Sequence, residues 1–189
     1  PENYNVPEGS YSSDPSDPAS RVTEMKQMVK GLHENDIRVI MDVVYNHVYN
    51  AANHSFNKTV PGYYFRYDDN GSLVNNSGCG NDTASERKMM RKYIVDSVTY
   101  WAKNYNVDGF RFDLMGLIDT ETMKEVRAAL DEIDPSIIIL GEGWDMNTTM
   151  DEGEMTIQPN AYQVASDGTN NCIAFFNDSV RDGLKGSVF

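Results

Sequence analysis

Two carboxylates and an arginine stand where this sequence could perform chemistry. The stretch 108–115 (DGFRFDLM) predicts a short buried strand, whose alternation sends Arg111 and Asp113 to one face and Phe110 and Phe112 to the other. A charge in apolar surroundings is tolerated when it is paired or in use. Two interpretations stay open: a carboxylate held ionised for chemistry, or a buried ion pair that only orients the strand.

A second carboxylate, Glu142, ends another apolar run, residues 137–141. If the two strands are parallel neighbours, about 4.8 Å apart, the carboxyl groups would lie about 5–5.5 Å apart, as a retaining glycosidase requires. Asp113 would attack the anomeric carbon, and Glu142 would protonate the leaving oxygen. The alternative for Glu142 is a helix-capping or loop carboxylate.

Arg111 predicts an electrostatic difference between these two groups. Beside Asp113 it would favour the ionised carboxylate, whereas the neighbouring anion would favour a protonated Glu142.

Further candidates follow the strand predicted at residues 37–44. Asn46 and His47 stand at its end and would bind a polyol, although an isolated histidine is more often structural. Asp42 is the odd charged member of an otherwise apolar strand face. The aromatic residues expected to stack on sugar rings are Trp144, Tyr4, Tyr11 and Tyr45, and those expected at the surface are His33 and His54.

The elements that must position these residues follow a βαβαβ order. Helix starts are predicted at Asp17-Pro18, at a capping box over residues 83–86 (TASE) and at Asp119. Three apolar strands, at 37–44, 108–115 and 137–142, lack clean alternation, which predicts a parallel sheet covered on both faces. Polar residues at the strand ends suit a (β/α)8 barrel; a doubly wound sheet is disfavoured because no Gly-rich phosphate loop occurs.

The connection at residues 48–84 is polar and too long for an ordinary loop, so a functional loop or small subdomain is expected. A further apolar stretch, residues 173–176, is expected to lead into a short helix ending at Gly186.

Composition excludes several classes of partner. The chain has 189 residues and a net charge of -13, without a basic stripe for nucleic acid or an anionic membrane. No apolar run approaches membrane-spanning length, and no secretory signal opens the chain. Cys79 and Cys172 are expected to be free thiols, and no metal-ligand spacing is present.

Three stretches together resemble signature regions of the α-amylase family of glycoside hydrolases: residues 42–47 (DVVYNH), 109–113 (GFRFD) and 141–144 (GEGW). Residues 4–12 (YNVPEGSYS) and 173–178 (IAFFND) are similar to type I pullulanases, the α-1,6 debranching members of that family.

The resemblance implies Asp113 as nucleophile and Glu142 as general acid/base. Arg111 and His47 would be ligands of the sugar at the cleavage point, supported by Asp42 and Asn46. Tyr45 and Trp144 complete the predicted substrate-binding set. The implied partner is an α-glucan polysaccharide or oligosaccharide, with no required cofactor; calcium stays open as a structural ion, although no Asp-rich loop has convincing ligand spacing.

The chain departs from the family pattern beyond Trp144, because the third essential carboxylate and its neighbouring histidine do not occur there. Only three of eight barrel strands are predicted, resembling the third to fifth. Residues 1–189 are therefore expected to be a central fragment of a catalytic (β/α)8 barrel, inactive alone and able to self-associate through open sheet edges.

Two other functions stay open: an α-1,4 or dual-specificity hydrolase of the same family, and a non-catalytic carbohydrate-binding or scaffold relative. The presence of Asp113, Glu142 and Arg111 disfavours the second. The expected source is bacterial, and the compartment stays open between secreted or cell-surface and cytoplasmic.

Overall fold

A computed structural model gives the fold for residues 3–164 and 173–186. The helices are α1 Pro18–His33, α2 Ser55–Thr59, α3 Lys88–Tyr105, α4 Thr120–Asp131, α5 Ala161–Val164 and α6 Asp178–Lys185. The strands are β1 Ile40–Val43, β2 His47–Val48, β3 Asn81–Asp82, β4 Gly109–Phe112, β5 Ile138–Gly141 and β6 Ile173–Phe175.

The main sheet has four strands in the order β1-β4-β5-β6, and every neighbouring pair is parallel. The predicted mixed α/β chain with a parallel sheet is therefore confirmed. The count of three strands is wrong, because Ile173–Phe175 pairs with β5 as a fourth strand before α6 begins. Three residues are too few to show a strand period in sequence, so only pairing with β5 reveals this element.

The connection between β1 and α3 carries its own small structure. Strands β2 and β3 pair antiparallel, and α2 lies between them in sequence. Val48, Ala51 and Phe65 form a separate buried cluster there. Thr83 then ties this segment to the end of β1, since its amide donates to Asn46 O at 2.9 Å and its hydroxyl to Tyr45 O at 2.6 Å.

Two of the three predicted helix starts are confirmed. Asp17 accepts a hydrogen bond from the Ala19 amide with Pro18 at the first helical position, and Asp119 accepts one from the Thr122 amide. The capping box at residues 83–86 is wrong, because α3 begins later, at Lys88, without a side-chain cap. The two outer residues of that box bond instead to the end of β1 and to Arg66.

One face of the sheet is covered by helices. Its buried side chains are packed with those of α3 and α4 in a single core: Val43, Phe110, Phe112, Ile139, Ile173, Ile94, Val98, Trp101, Met123, Val126 and Leu130. The alternation predicted for β4 is confirmed, since Phe110 and Phe112 are fully buried in this core.

The other face is open within the part of the chain that the structure describes. Ile40 is 42% exposed, Phe176 after β6 is 37% exposed, Ala174 is exposed and Leu140 is half-buried. Burial on both faces, as the sequence predicted, is thus seen on one face only. Parallel sheets are normally covered on both sides, so this face needs a partner surface.

None of the helices in residues 3–164 and 173–186 is both long enough and apolar enough to cross a membrane.

The open face predicts the behaviour of the 189-residue chain on its own. We expect concentration-dependent association in sedimentation experiments, because burying a large aliphatic side chain contributes about 1.5–3 kcal/mol. Ile40→Lys combined with Leu140→Lys should weaken the association.

The control is Tyr11→Ser, which removes a side chain that is 90% exposed and stands at the end of the 3-10 helix Gly9–Tyr11, before α1. This variant should associate as the unchanged chain does. A monomer at every concentration, or an equal effect of the control, would contradict the role of the open face.

Candidate active site

The two predicted catalytic carboxylates follow neighbouring parallel strands. Phe112 and Gly141 are register partners at the ends of β4 and β5, and Asp113 and Glu142 are the next residues. Backbone hydrogen bonds extend the strand pairing to these two residues. The Glu142 amide donates to Phe112 O at 3.2 Å, and the Asp113 amide donates to Val43 O at 3.0 Å. The strand arrangement needed for a carboxylate pair is present, while the 5–5.5 Å separation stays a prediction.

Arg111 is the cation shared by the site. Its guanidinium donates to Asp42 Oδ1 at 2.9 Å, to Asp113 Oδ1 at 3.1 Å and to Glu142 Oε1. Burial alone lowers the pKa of Arg111, and the contacts with Asp42 and Glu142 outweigh it, so the pKa is raised and the side chain stays charged. One positive charge thus stands among three carboxylates.

The predicted electrostatic difference between Asp113 and Glu142 does not follow from this arrangement. Sequence spacing placed Arg111 beside Asp113 alone, but the register of β4 and β5 also brings it to Glu142. A guanidinium presents five N–H donors in a planar fork, so it can serve carboxylates on both sides of its own strand.

The second oxygen of Glu142 is held by the turn after β4. Leu114 donates its amide to Glu142 Oε2 at 2.9 Å from a left-handed backbone, φ 38° and ψ 52°. That conformation costs a branched residue about 1–2 kcal/mol. The Gly116 amide donates to Glu142 O at 3.0 Å, and a Cβ on Gly116 would lie 1.9 Å from Trp144 O. Only glycine permits this close approach.

Asn46 and His47 form a relay behind Asp113. Asn46 is fully buried, and its Nδ2 donates to Asp113 Oδ2 at 3.1 Å and to the Asp113 carbonyl. His47 Nδ1 hydrogen-bonds Asn46 Oδ1. Burial lowers the pKa of His47, while the nearby Asp113 opposes that shift. Four of the predicted residues therefore meet Asp113: Arg111 and Asn46 directly, His47 through Asn46, and Asp42 through Arg111.

The predicted aromatic residues do not form one surface. Tyr45 is buried, donates to or accepts from Ser97 Oγ at 2.6 Å, and stacks on Tyr4 with ring centroids 5.5 Å apart. Its ring is part of the core, whereas Tyr11 is exposed at the end of the 3-10 helix Gly9–Tyr11. Trp144 is half-buried, and its indole nitrogen is buried without a hydrogen-bond partner among the residues described.

The two histidines expected at the surface are placed differently. His54 is buried and accepts a hydrogen bond from the Phe56 amide at 3.3 Å. His33 is half-buried, with Nε2 at 2.7 Å from Asp108 Oδ2. The prediction for His54 is wrong, because a histidine in a polar segment gives no sequence signal for the tertiary contact that covers it. His33 keeps 35% of its side chain exposed, so it lies at the surface although one ring nitrogen is bound.

Sequence reasoning missed two groups at the site, the Leu114 amide and Phe176. The Phe176 ring lies 5.5 Å from Arg111 Cζ, within reach of a cation–π contact. A signal existed for Phe176, since it follows β6 as Glu142 follows β5. No sequence signal identifies the Leu114 amide, because its direction depends on one backbone angle.

Side chains able to bind a metal ion are not clustered in the described ranges. No group of three or more His, Cys, Asp or Glu side chains within residues 3–164 and 173–186 could hold a metal ion. Cys79 is an exposed free thiol, and Cys172 lies outside the described residues.

Comparisons with known proteins agree on one group of enzymes. The chain is 48% identical over its whole length to a pullulanase of Bacillus subtilis, covering 26% of that protein. It is 41% identical over 98% of its length to the chloroplastic pullulanase 1 of Arabidopsis thaliana, covering 20% of it. Over nearly its whole length the chain is thus similar to one part of each of these pullulanases.

A solved structure shows the same similarity at the level of the fold. The Paenibacillus barengoltzii pullulanase, solved with maltohexaose and α-cyclodextrin, superposes on this chain with a TM-score of 0.95 at 51% identity. The match covers all of this chain and 28% of the crystallised one. The chain thus spans about a quarter or less of the length of these two relatives. No family model matches the chain.

The relay behind Asp113 predicts a histidine titration. Since burial lowers the pKa of His47, its ring should titrate below pH 6.5 in an NMR titration. Asp113→Asn should lower the pKa further, because it removes the anion that opposes the shift. A depressed pKa means that the neutral ring is stabilising, so this contribution is present above the unfolded pKa and is lost as the pH falls through the folded value.

A matched control is Glu132→Gln, which removes an exposed carboxylate at the end of α4, before β5 begins. It should leave the His47 titration unchanged. A rise in the pKa of His47 in Asp113→Asn would refute the relay.

Proposed function

We propose that this chain forms part of the catalytic domain of a debranching glycoside hydrolase that cleaves α-1,6-glucosidic bonds in pullulan-like or starch-like α-glucans with retention of configuration. The observation that carries the proposal is the placement of Asp113 and Glu142 after neighbouring parallel strands, with Arg111 bound to both. Homology to pullulanases supports the linkage, and the Paenibacillus enzyme solved with maltohexaose supports the substrate class.

The fold proposed for the whole domain is a (β/α)8 barrel, to which β1, β4, β5 and β6 contribute consecutive strands. All four are parallel, their described helices cover one face, and their polar residues gather at the carboxyl ends. The open face would then line the barrel interior. Residues 48–84 would form a small subdomain after the first of these strands, packed on its own cluster.

In the proposed reaction Asp113 attacks the anomeric carbon while the glycosidic C–O bond breaks. Glu142 gives its proton to the departing oxygen, which leaves as the hydroxyl of the released glucan. Water then attacks the same carbon, Glu142 takes the water's proton, and the ester bond to Asp113 breaks. Carboxyl groups and water suffice for this sequence, so the proposal includes no cofactor.

The contacts of the site assign supporting roles. Arg111 and His47 would bind the sugar at the cleavage point, and Asn46 would hold Asp113 in the orientation for attack. Asp42 would orient Arg111. Trp144, which follows Glu142 closely, would stack on a sugar ring.

Tyr45 would contribute by supporting the Asn46 backbone from the core, since its ring is buried. Tyr45 would therefore act on the substrate indirectly, whereas the sequence predicted direct contact.

One rearrangement is part of the cycle. The general acid must reach the glycosidic oxygen, and Glu142 Oε1 is held here by the Arg111 guanidinium. We therefore expect substrate to displace this contact, with Arg111 turning to sugar hydroxyls while Glu142 meets the glycosidic oxygen.

The linkage can be tested on the full natural protein that carries this sequence. It should release maltotriose from pullulan, which product chromatography would detect. Degradation of linear amylose with pullulan left intact would replace the α-1,6 proposal with the α-1,4 alternative; cleavage of both would indicate dual specificity. The 189 residues alone should be inactive, because the family's third carboxylate is not among them.

The two carboxylates should differ in their dependence on the leaving group. Asp113→Asn and Glu142→Gln should each reduce turnover of pullulan by about 10²–10⁴-fold or more. On a glycosyl fluoride, whose fluoride leaves without a proton, Glu142→Gln should recover its rate of glycosylation and Asp113→Asn should not.

Comparison of kcat/KM values for the two substrates would measure this difference. Equal losses on the fluoride for both variants would count against the assigned roles. Binding of glucan without any hydrolysis by the unchanged protein would instead indicate the non-catalytic relative.

A further inference from the structure

The guanidinium of Arg66 is buried where three strand-end segments meet. Its side chain is 2% exposed and lies outside the group of residues bound to Arg111. It donates to Glu86 Oε2 at 2.8 and 3.2 Å, to Leu117 O at 2.8 Å, to Thr148 Oγ1 at 3.4 Å and to Met150 Sδ at 3.0 Å. These partners belong to the segments after β3, β4 and β5, so one side chain joins all three.

A short path leads from Arg66 to Glu142. Leu117, whose carbonyl accepts from Arg66, is the last residue of the 3-10 helix Met115–Leu117. Its amide donates to Leu114 O at 2.9 Å, and the Leu114 amide donates to Glu142 Oε2 at 2.9 Å. The Gly116 amide meets Glu142 O at 3.0 Å. Every step is a hydrogen bond of ordinary length.

The strained backbone of Leu114 makes this path depend on the contacts at both of its ends. Its left-handed backbone is strained for a side chain with a Cβ, and such residues persist only where the surrounding structure fixes them. The Glu142 contact fixes the start of the turn and Arg66 fixes its end. If the Arg66 contact is removed, the turn can relax and carry the Leu114 amide away from the carboxyl group.

We propose that Arg66 is a positioning residue for Glu142, acting through the 3-10 helix Met115–Leu117 and the Leu114 amide. The identity of the step that it supports rests on the proposed function, whereas the structural coupling does not. A positioning role for the general acid predicts selective loss on substrates whose leaving group needs a proton.

The experiment compares Arg66→Met with Arg66→Lys in the full natural protein, with Arg127→Met as the matched control. Arg127 is also a buried arginine that donates to a backbone carbonyl, Ile137 O at 2.7 Å, and pairs with a carboxylate, Asp131. It lies at the opposite end of β5, so it shares the burial and charge of Arg66 without its path to Glu142.

The kinetic readout is kcat/KM, which reports only the steps up to glycosylation of Asp113. In Arg66→Met it should fall on the order of 100-fold for pullulan and by less than about threefold for α-maltotriosyl fluoride. Arg66→Lys should lie between Arg66→Met and the unchanged protein, since an ammonium keeps the charge but lacks the planar fork. Arg127→Met should change kcat/KM by the same factor for both substrates. Equal loss on both substrates in Arg66→Met, or no loss, would overturn the proposal.

A second readout does not depend on activity. Amide hydrogen exchange at Leu114 and Gly116 should accelerate in Arg66→Met and stay unchanged in Arg127→Met. If the unchanged protein hydrolyses no α-glucan, the proposed function fails, and exchange still decides the coupling. Unchanged exchange at both amides in Arg66→Met would overturn the coupling whatever the activity.

Discussion

The charge balance around Arg111 is the constraint on which the site depends. Carboxylates from three adjacent strands, Asp42, Asp113 and Glu142, converge on one guanidinium. Without that cation three like charges would share a small volume, and their repulsion would be more costly at Asp113 and Glu142, which are more buried than Asp42. The arrangement requires strict register, with Asp42 directly opposite Arg111 and the ends of β4 and β5 level. A slip of one residue would turn Arg111 into the core.

The segments beyond the strands restrict each carboxylate separately. Asp113 is held by the buried amide of Asn46, and Asn46 is held by the Thr83 amide from the end of the long connection. Glu142 is held by the Leu114 amide, on a turn that fits only because Gly116 carries no side chain. Each acidic group therefore has its own supports, and among the residues that the structure describes Arg111 is the charged group bound to both. The two carboxyl groups thus lie in different surroundings.

Much of this arrangement could be predicted from local sequence. The strands at β4 and β5, the polar residues after them and the caps Asp17 and Asp119 follow from periodicity and side-chain chemistry. The incorrect predictions share one cause, a tertiary contact that the local sequence does not reveal. The predicted capping box has the right residue types, but its glutamate is used by Arg66, which lies twenty residues earlier.

Tertiary contacts also determine the structure around residues that carry no local sequence pattern. Arg66 stands in a polar stretch between tyrosines and aspartates, so nothing marks it as buried. The strand β6 is too short to show a period, and its pairing with β5 defines it. The direction of the Leu114 amide depends on a single left-handed backbone conformation. Local propensity predicts which elements form, whereas their fit to one another depends on contacts that propensity does not contain.

The hydrogen-bond partners of Arg66 also have a consequence for the order in which the chain folds during synthesis. Its partners lie 51, 82 and 84 residues further along, at Leu117, Thr148 and Met150. Closing such long loops carries an entropic cost that local helices do not meet. Arg66 cannot contact all of these partners until Met150 has emerged from the ribosome. By that time α1, α3 and α4 are already available to fold. Until then water must take the place of Thr148 and Met150 around the Arg66 guanidinium.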